Sequence, residues 1–137
     1  MQSAEVFVGL TITGDFDAED ITRRLGLEPT HARSKGEAPL HRRARTLAST
    51  SVWAIDSSSS IEADTVEPHL AWLLNLLEPR VEALSAMRRG GVFAYADCFW
   101  ASPGLGGGPW ITPQSMGWLA ALDLPLIISF YAASEDD

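Results

Sequence analysis

The segment VFAYADCFWA, residues 92–101, carries one acidic residue in the middle of an otherwise apolar run. Both faces of a strand built from it are largely apolar, which favours a position in the middle of a sheet. Successive side chains of a strand point to opposite faces. One face carries Phe93, Tyr95, Asp97 and Phe99, and the other carries Ala94, Ala96, Cys98 and Trp100. The pattern predicts a central strand that holds Asp97 among aromatic side chains.

Asp97 is the catalytic candidate of this sequence. Partial desolvation between aromatic rings raises the pKa of a carboxyl group, which suits it to general acid or base catalysis. The alternative is that Asp97 meets solvent or pairs with an arginine. Cys98 points to the opposite face, where a thiol is more often part of the core than a nucleophile.

Further strands and helices are predicted on both sides of this segment. Period-two alternation predicts strands at 6–13, 51–56 and 124–132. Helical spacing predicts helices at 18–25, at 65–77, from Pro79 to Met87, and after Pro113. Asp17 and Gly26 are the expected caps of the first helix, and Thr112 is the expected cap of the last one. Met116, Leu119 and Leu122 are expected to be the buried residues of that last helix.

This order of elements predicts the fold class. We expect an α+β, ferredoxin-like two-layer sandwich in which the helices cover one face of a four- or five-stranded sheet. A chain of 137 residues, 46% of them apolar, is long enough for one core. We therefore expect a single α+β domain over residues 1–137, with a solvated acidic tail at 134–137.

Three sequence features indicate the compartment. Cys98 is the only cysteine, which favours a reducing environment. The first residues do not have the pattern of a signal peptide, and the apolar stretch at 124–133 is about half as long as a membrane span. We therefore expect a cytoplasmic protein with no membrane segment.

The charge of the chain is large and uneven. A net charge of −8 argues against general affinity for nucleic acid. Basic residues nevertheless cluster in a segment at about 30–50 that lacks periodicity and is expected to be a mobile loop. His31, Arg33 and Lys35 are candidates there for binding a small anionic ligand. The alternative is that this loop only neutralises acidic surface.

Aromatic residues on other strands extend the candidate site. Phe7, Trp53, Tyr95 and Tyr131 are expected on the sheet face that the helices leave open, where they would contact a ligand, a partner or a second copy. The alternative is that the long loop covers this face. His69 is expected at the edge of the long helix, and the histidine spacing indicates no metal site. The glycines at 104–108 lack a phosphate-binding pattern, so no cofactor is expected.

Several of these segments together resemble a known family. They are Ile12-Thr13-Gly14, Leu25-Gly26-Leu27-Glu28-Pro29-Thr30, Lys35-Gly36-Glu37, Trp53, the leucine-rich helix at 70–77, and a closing apolar strand with Tyr131. This combination is similar to the bacterial domain of unknown function 4279 family over almost the whole chain. The resemblance implies a compact cytoplasmic α+β domain and carries no reaction over to this chain.

Three functional hypotheses follow. The first is a small acidic binding protein that neutralises a basic protein partner, as immunity proteins do. The second is a small-molecule-binding protein or biosynthetic enzyme, in which Asp97 acts as acid or base and Arg33 or Lys35 holds an anionic group. The third is a homodimer whose sheet faces or edges pair.

Overall fold

The computed structural model describes residues 5–37, 50–102 and 108–132, and the side chains of Ser102 and Ala132 are not described. The strands are β1 (Glu5–Gly14), β2 (His31–Arg33), β3 (Ser51–Asp56), β4 (Phe93–Ser102) and β5 (Leu126–Ala132). The helices are α1 (Ala18–Leu25), α2 (Val66–Leu77), α3 (Val81–Arg89) and α4 (Pro113–Ala121), with a 3-10 turn at Glu78–Arg80 between α2 and α3. The elements are therefore both helical and extended, which confirms the α+β class.

The five strands form one open sheet in the order β2-β3-β1-β4-β5. Neighbouring strands are antiparallel except β4 and β5, which are parallel and are joined through α4. Strand β4 lies between β1 and β5, so the predicted interior position of residues 92–101 is confirmed. A sheet of five strands also agrees with the predicted number.

The helices and one face of the sheet enclose the core. Buried residues of the sheet on this side include Val8, Trp53 and Cys98, and they form one cluster with buried residues of all four helices. These helix residues include Ile21, Leu70, Leu84 and Leu119. The opposite sheet face lacks such a cover among the described residues. The helices therefore leave one sheet face open.

Helix α1 begins and ends where the sequence predicts. The Asp17 carboxylate accepts a hydrogen bond from the Glu19 backbone N–H at 3.1 Å, which satisfies one free donor of the first turn. Gly26 ends the helix in the left-handed region, with φ of 68°, a conformation that costs glycine little.

Two element predictions are wrong. Residues 31–33 form strand β2, paired with β3, within the segment predicted to lack regular structure. In α4 Leu119 is buried and Leu122 at its end is partly buried, as predicted, but Met116 is exposed and Ser115 is buried instead. The Ser115 hydroxyl donates a hydrogen bond at 2.6 Å to the Glu67 carboxylate of α2, which compensates for the burial of this polar side chain.

Histidine 69 lies in the core and not at the edge of α2, which corrects the prediction for this residue. Its Nδ1 is 2.6 Å from the Ser57 hydroxyl, and its Nε2 is 2.8 Å from the Ala63 carbonyl oxygen. The carbonyl only accepts, so Nε2 carries the proton and Ser57 donates to Nδ1. Ser57 in turn accepts from the Val8 backbone N–H at 3.0 Å. This buried chain of hydrogen bonds ties the end of β3 to β1 and α2.

No helix within the described parts of the chain has the length and apolar character needed to cross a membrane.

Candidate functional site

The sheet face without helices, here called the open face, carries an aromatic and acidic surface. Its position follows from strand register, because residues paired across strands share a face. Gly9 of β1 pairs with Asp56 of β3 on one side and with Asp97 of β4 on the other. The open face includes Phe7, Gly9, Thr11, Asp56, Phe93, Tyr95, Asp97, Phe99, Ile127 and Tyr131.

A row of aromatic rings in contact with one another borders Asp97 on the open face. The rings of Phe7 and Phe99 are parallel within 6°, with centroids 4.6 Å apart. Tyr131 of β5 extends the row, with its centroid 5.2 Å from that of Phe99. On the other side of Asp97, Phe93 and Tyr95 form a second pair at 5.6 Å. These contacts hold flat apolar surface on both sides of the Asp97 carboxylate along β4.

Gly9 lies between the two aspartates in the strand register, and its lack of a side chain lets β3 approach β1 closely. A Cβ atom at position 9 would overlap the Ile55 carbonyl oxygen and lie 2.9 Å from the Asp56 Cβ. Only glycine fits this close approach of β1 and β3. Glycine in a strand interior commonly marks such an approach. The Ile55 carbonyl oxygen and the Asp56 Cβ therefore occupy the space beside Gly9, on the side of β1 opposite to Asp97.

The environment of Asp97 disfavours its charged form. Burial raises the pKa of Asp97 above its ordinary value, and the negative charge of Asp56 raises it further. The ion pairs found among the described residues, Arg23 with Asp20 and Lys35 with Asp15, do not involve either aspartate. The predicted direction of the pKa shift is thus confirmed, and it has a second cause in Asp56.

The residues of the open face lie within a segment that matches a known family. The family described as domain of unknown function (DUF4279) matches residues 4–133, which include all five strands and all four helices. The chain belongs to this family. The resemblance stated from the sequence is therefore confirmed. Comparison with curated proteins and with solved structures gave no significant match.

Three basic candidates of this DUF4279 chain lie apart from Asp97. His31 and Arg33 are on β2, which is three interstrand spacings, about 14 Å, from β4. The Lys35 ammonium lies 3.2 Å from the Asp15 carboxylate, and its backbone N–H donates to the Ser51 hydroxyl at 2.8 Å. The remaining basic residues of the predicted loop, His41, Arg42, Arg43 and Arg45, lie outside the described residues.

Trp53 is on the covered face, which corrects its predicted position beside Tyr95 and Tyr131. It pairs with Ile12 in the core and is fully buried. Its indole Nε1 donates to the Thr22 hydroxyl of α1 at 2.9 Å. Trp53 thus holds α1 against the sheet, while the side chains of Tyr95, Asp97 and Tyr131 share the open face.

Cys98 is in the core, as expected for its strand position. Burial raises the pKa of its thiol to about 11, with a further contribution from the charge of Asp97. A buried thiol that stays protonated at neutral pH is a poor nucleophile.

Asp56 and Gly9 were not predicted as site residues. Asp56 ends a strand and precedes four serines, a pattern typical of a turn. Gly9 is an isolated glycine in an alternating strand, which is the available sequence signal for a close backbone approach. The sequence around Asp56 and Gly9 does not indicate that they lie beside Asp97, because their proximity depends on the order of the strands in the sheet.

Two clefts lie elsewhere on the protein, and Asp97 lines neither of them. A cleft of about 520 Å³ lies at the start of β4 and β5, where Arg88, Phe93 and Asp123 line it. A smaller cleft of about 300 Å³ lies between α2 and α4, beside Trp118. Among the described residues there is no cluster of three or more histidine, cysteine, aspartate or glutamate side chains able to hold a metal ion.

Proposed function

We propose that this chain is a binding protein whose open face receives a basic segment of a protein partner. The observation that carries this proposal is the pair of carboxylates on either side of Gly9, set between aromatic rings. An arginine or lysine side chain that approaches the open face at these two residues would meet Asp56 and Asp97 together. Charge-assisted hydrogen bonds to both would replace their mutual repulsion.

The aromatic rings supply the second part of this recognition. A guanidinium group stacks on aromatic faces, and the contact strengthens as water is excluded. Phe7 and Tyr95 lie on the cross-strand rows on either side of the row that contains Gly9 and Asp97. Interfaces are enriched in aromatic side chains of this kind, which gain contact area at a small cost in conformational entropy.

The charge of the whole chain supports the same kind of partner. A net charge of −8 accelerates encounter with a basic protein and disfavours an acidic one. Immunity proteins that neutralise a basic toxin are comparable in size and charge, and we place this chain among such proteins by that analogy. The single cysteine supports a cytoplasmic location.

We also infer that the architecture is ferredoxin-like with one added unit. The first four strands and their helices follow the order β-α-β-β-α-β, with α2 and α3 in place of the second helix. Sheet order β2-β3-β1-β4, antiparallel throughout, supports this assignment, and α4 with β5 extends it. A solved structure with the same connectivity over residues 5–102 would test it.

Titration with an arginine-rich peptide tests the binding proposal. We expect octa-arginine to shift the amide NMR signals of Gly9, Tyr95 and Asp97, with smaller shifts for octa-lysine, which stacks less well on rings. The Asp56→Asn/Asp97→Asn double variant should bind at least about tenfold more weakly, since it removes both carboxylates from the contact.

The matched control is Glu62→Gln/Asp64→Asn, which removes the same charge from exposed positions outside the open face. This control should bind nearly as well as the unchanged protein. Equal loss in both double variants would mean that net charge alone attracts the peptide. Signals that move only outside the open face would also contradict the proposal.

The raised pKa of Asp97 favours a second candidate, a small-molecule-binding protein or enzyme with Asp97 as acid or base. This function ranks second because His31, Arg33 and Lys35 lie apart from Asp97, and because neither cleft described above is lined by Asp97. Turnover of a small molecule that is lost in Asp97→Asn but kept in Asp64→Asn would favour it over partner binding.

A further inference from the structure

Strand β5 forms one edge of the sheet and carries large apolar side chains on both of its faces. It pairs with β4 on one side only among the described residues. Ile127 and Tyr131 point to the open face, and Ile128 and Phe130 point to the helix side; all four are 43–57% exposed. An edge strand of this length normally carries a charge or proline that prevents further pairing. Residues 126–132 contain neither.

The side chains of β5 are arranged symmetrically around Ser129. Ile128 and Phe130 lie one residue away on either side, and Ile127 and Tyr131 lie two residues away. If two copies of β5 pair antiparallel about a twofold axis at Ser129, Ile128 of each copy faces Phe130 of the other. Ile127 likewise faces Tyr131. Pairs of a β-branched and an aromatic side chain are among the favourable cross-strand pairs.

We propose that β5 pairs with β5 of a second copy of this chain, which joins the two sheets into one continuous sheet of ten strands. The occupant of the edge is a second copy because the pattern is complementary to itself on both faces and no charge opposes a charge within the strand. Four partly exposed side chains per copy make a small interface, so the dimer is reversible and depends on concentration.

Sedimentation equilibrium of the unchanged protein and two matched variants tests the proposal. The 14.8 kDa chain should approach twice this mass as its concentration rises from micromolar to millimolar. Ile128→Lys places a charge in the edge and should weaken association by about tenfold or more. Met116→Lys makes the same change on α4, where Met116 is 51% exposed, and should associate as the unchanged protein does.

A cysteine at the axis gives an independent measurement. Ser129→Cys brings two thiols opposite each other, close to the Cβ separation that a disulfide requires. Mild oxidation should therefore yield a covalent dimer, whereas Gln114→Cys on α4 should not. The native Cys98 is buried and does not compete.

A chain that stays monomeric at millimolar concentration overturns this proposal, whatever else occupies the edge. Equal weakening by Ile128→Lys and Met116→Lys would place the contact elsewhere and overturn it too. The outcome is independent of the proposed function, because Ile128 is on the helix side of β5 and peptide binding is measured at Asp56 and Asp97 on the open face.

Discussion

At the scale of single residues, the open face depends on Asp97 and on the neighbour that has no side chain. Gly9 allows β1 and β3 to approach closely, and its bare backbone separates Asp97 from Asp56. The Asp97 carboxyl group therefore lies near the Asp56 carboxyl group and near aromatic rings, and both surroundings disfavour its charged form. Residues that cost stability in the free protein are common where a surface is adapted to a ligand.

Replacing Asp97 tests whether it is such a residue. Its folded-state pKa is raised, first by burial and then by Asp56, so the folded state binds the proton more tightly than the unfolded state does. The free energy of unfolding therefore falls as pH rises from the unfolded pKa through the folded pKa. We expect Asp97→Asn to raise the melting temperature at pH 7. The gain should disappear below the ordinary pKa range of aspartate.

Thermal unfolding from pH 3 to pH 8 measures this difference, with Asp64→Asn as the control on an exposed turn. If Asp97→Asn lowers the melting temperature at neutral pH, Asp97 stabilises the free protein, and our inference that it lowers the free energy of unfolding is wrong.

At the scale of elements, one side chain of α2 fixes the start of α4. The Glu67 carboxylate accepts hydrogen bonds from the Thr112 backbone N–H and the Ser115 hydroxyl, each at 2.6 Å. Burial raises the pKa of Glu67, but these hydrogen bonds outweigh it and leave the pKa below its ordinary value. A carboxylate at a helix N-terminus also interacts favourably with the helix dipole. Glu67 thus holds the start of α4 against α2.

Glu67→Gln should therefore destabilise the protein, mostly at neutral pH. We expect a loss of about 1 kcal/mol in the free energy of unfolding, at the lower end for a charged hydrogen bond because Glu67 is partly exposed. The folded pKa is lowered, so this stabilisation is present above the unfolded pKa and is lost as pH falls through the folded pKa.

Urea unfolding at pH 7 and at pH 3 measures the effect of Glu67→Gln. Glu62→Gln has the same change in charge at an exposed site and serves as the control. A loss that is equally large at both pH values would show that shape, and not the carboxylate charge, holds α4 in place.

At the scale of the whole molecule, the net charge of −8 affects the two proposed contacts in opposite ways. A basic partner is attracted, so its affinity for the open face should fall as salt screens the charge. Two copies of the chain repel each other, so pairing through β5 should strengthen with salt. We expect peptide affinity and dimer affinity to change in opposite directions between about 50 mM and 500 mM salt. Calorimetry measures the peptide affinity and sedimentation measures the dimer affinity. If both affinities change in the same direction with salt, one of the two proposed contacts is contradicted.

The sequence predicted those parts of the fold that depend on local interactions. Helix α1 with its Asp17 and Gly26 caps was predicted correctly, because capping depends on residues within one turn. The face shared by Tyr95 and Asp97 was also predicted, because side-chain alternation belongs to the strand itself. Strand β2 was missed, since three residues are too few for a periodic pattern and are extended only through pairing with β3.

Which face of each strand is covered, and which strands are neighbours, depended on tertiary structure. Trp53 is on the helix side, where burial of its large ring against α1 stabilises the fold. The alternation of residues within β3 does not by itself indicate which face the helices cover. Asp56 meets Asp97 only because β1 lies between β3 and β4. The sequence thus determined the elements and their alternation through short-range geometry. Tertiary structure decided the acidic pair across Gly9 and the edge position of β5 among the described strands, because contacts between distant strands and the burial of apolar surface set the order of the sheet.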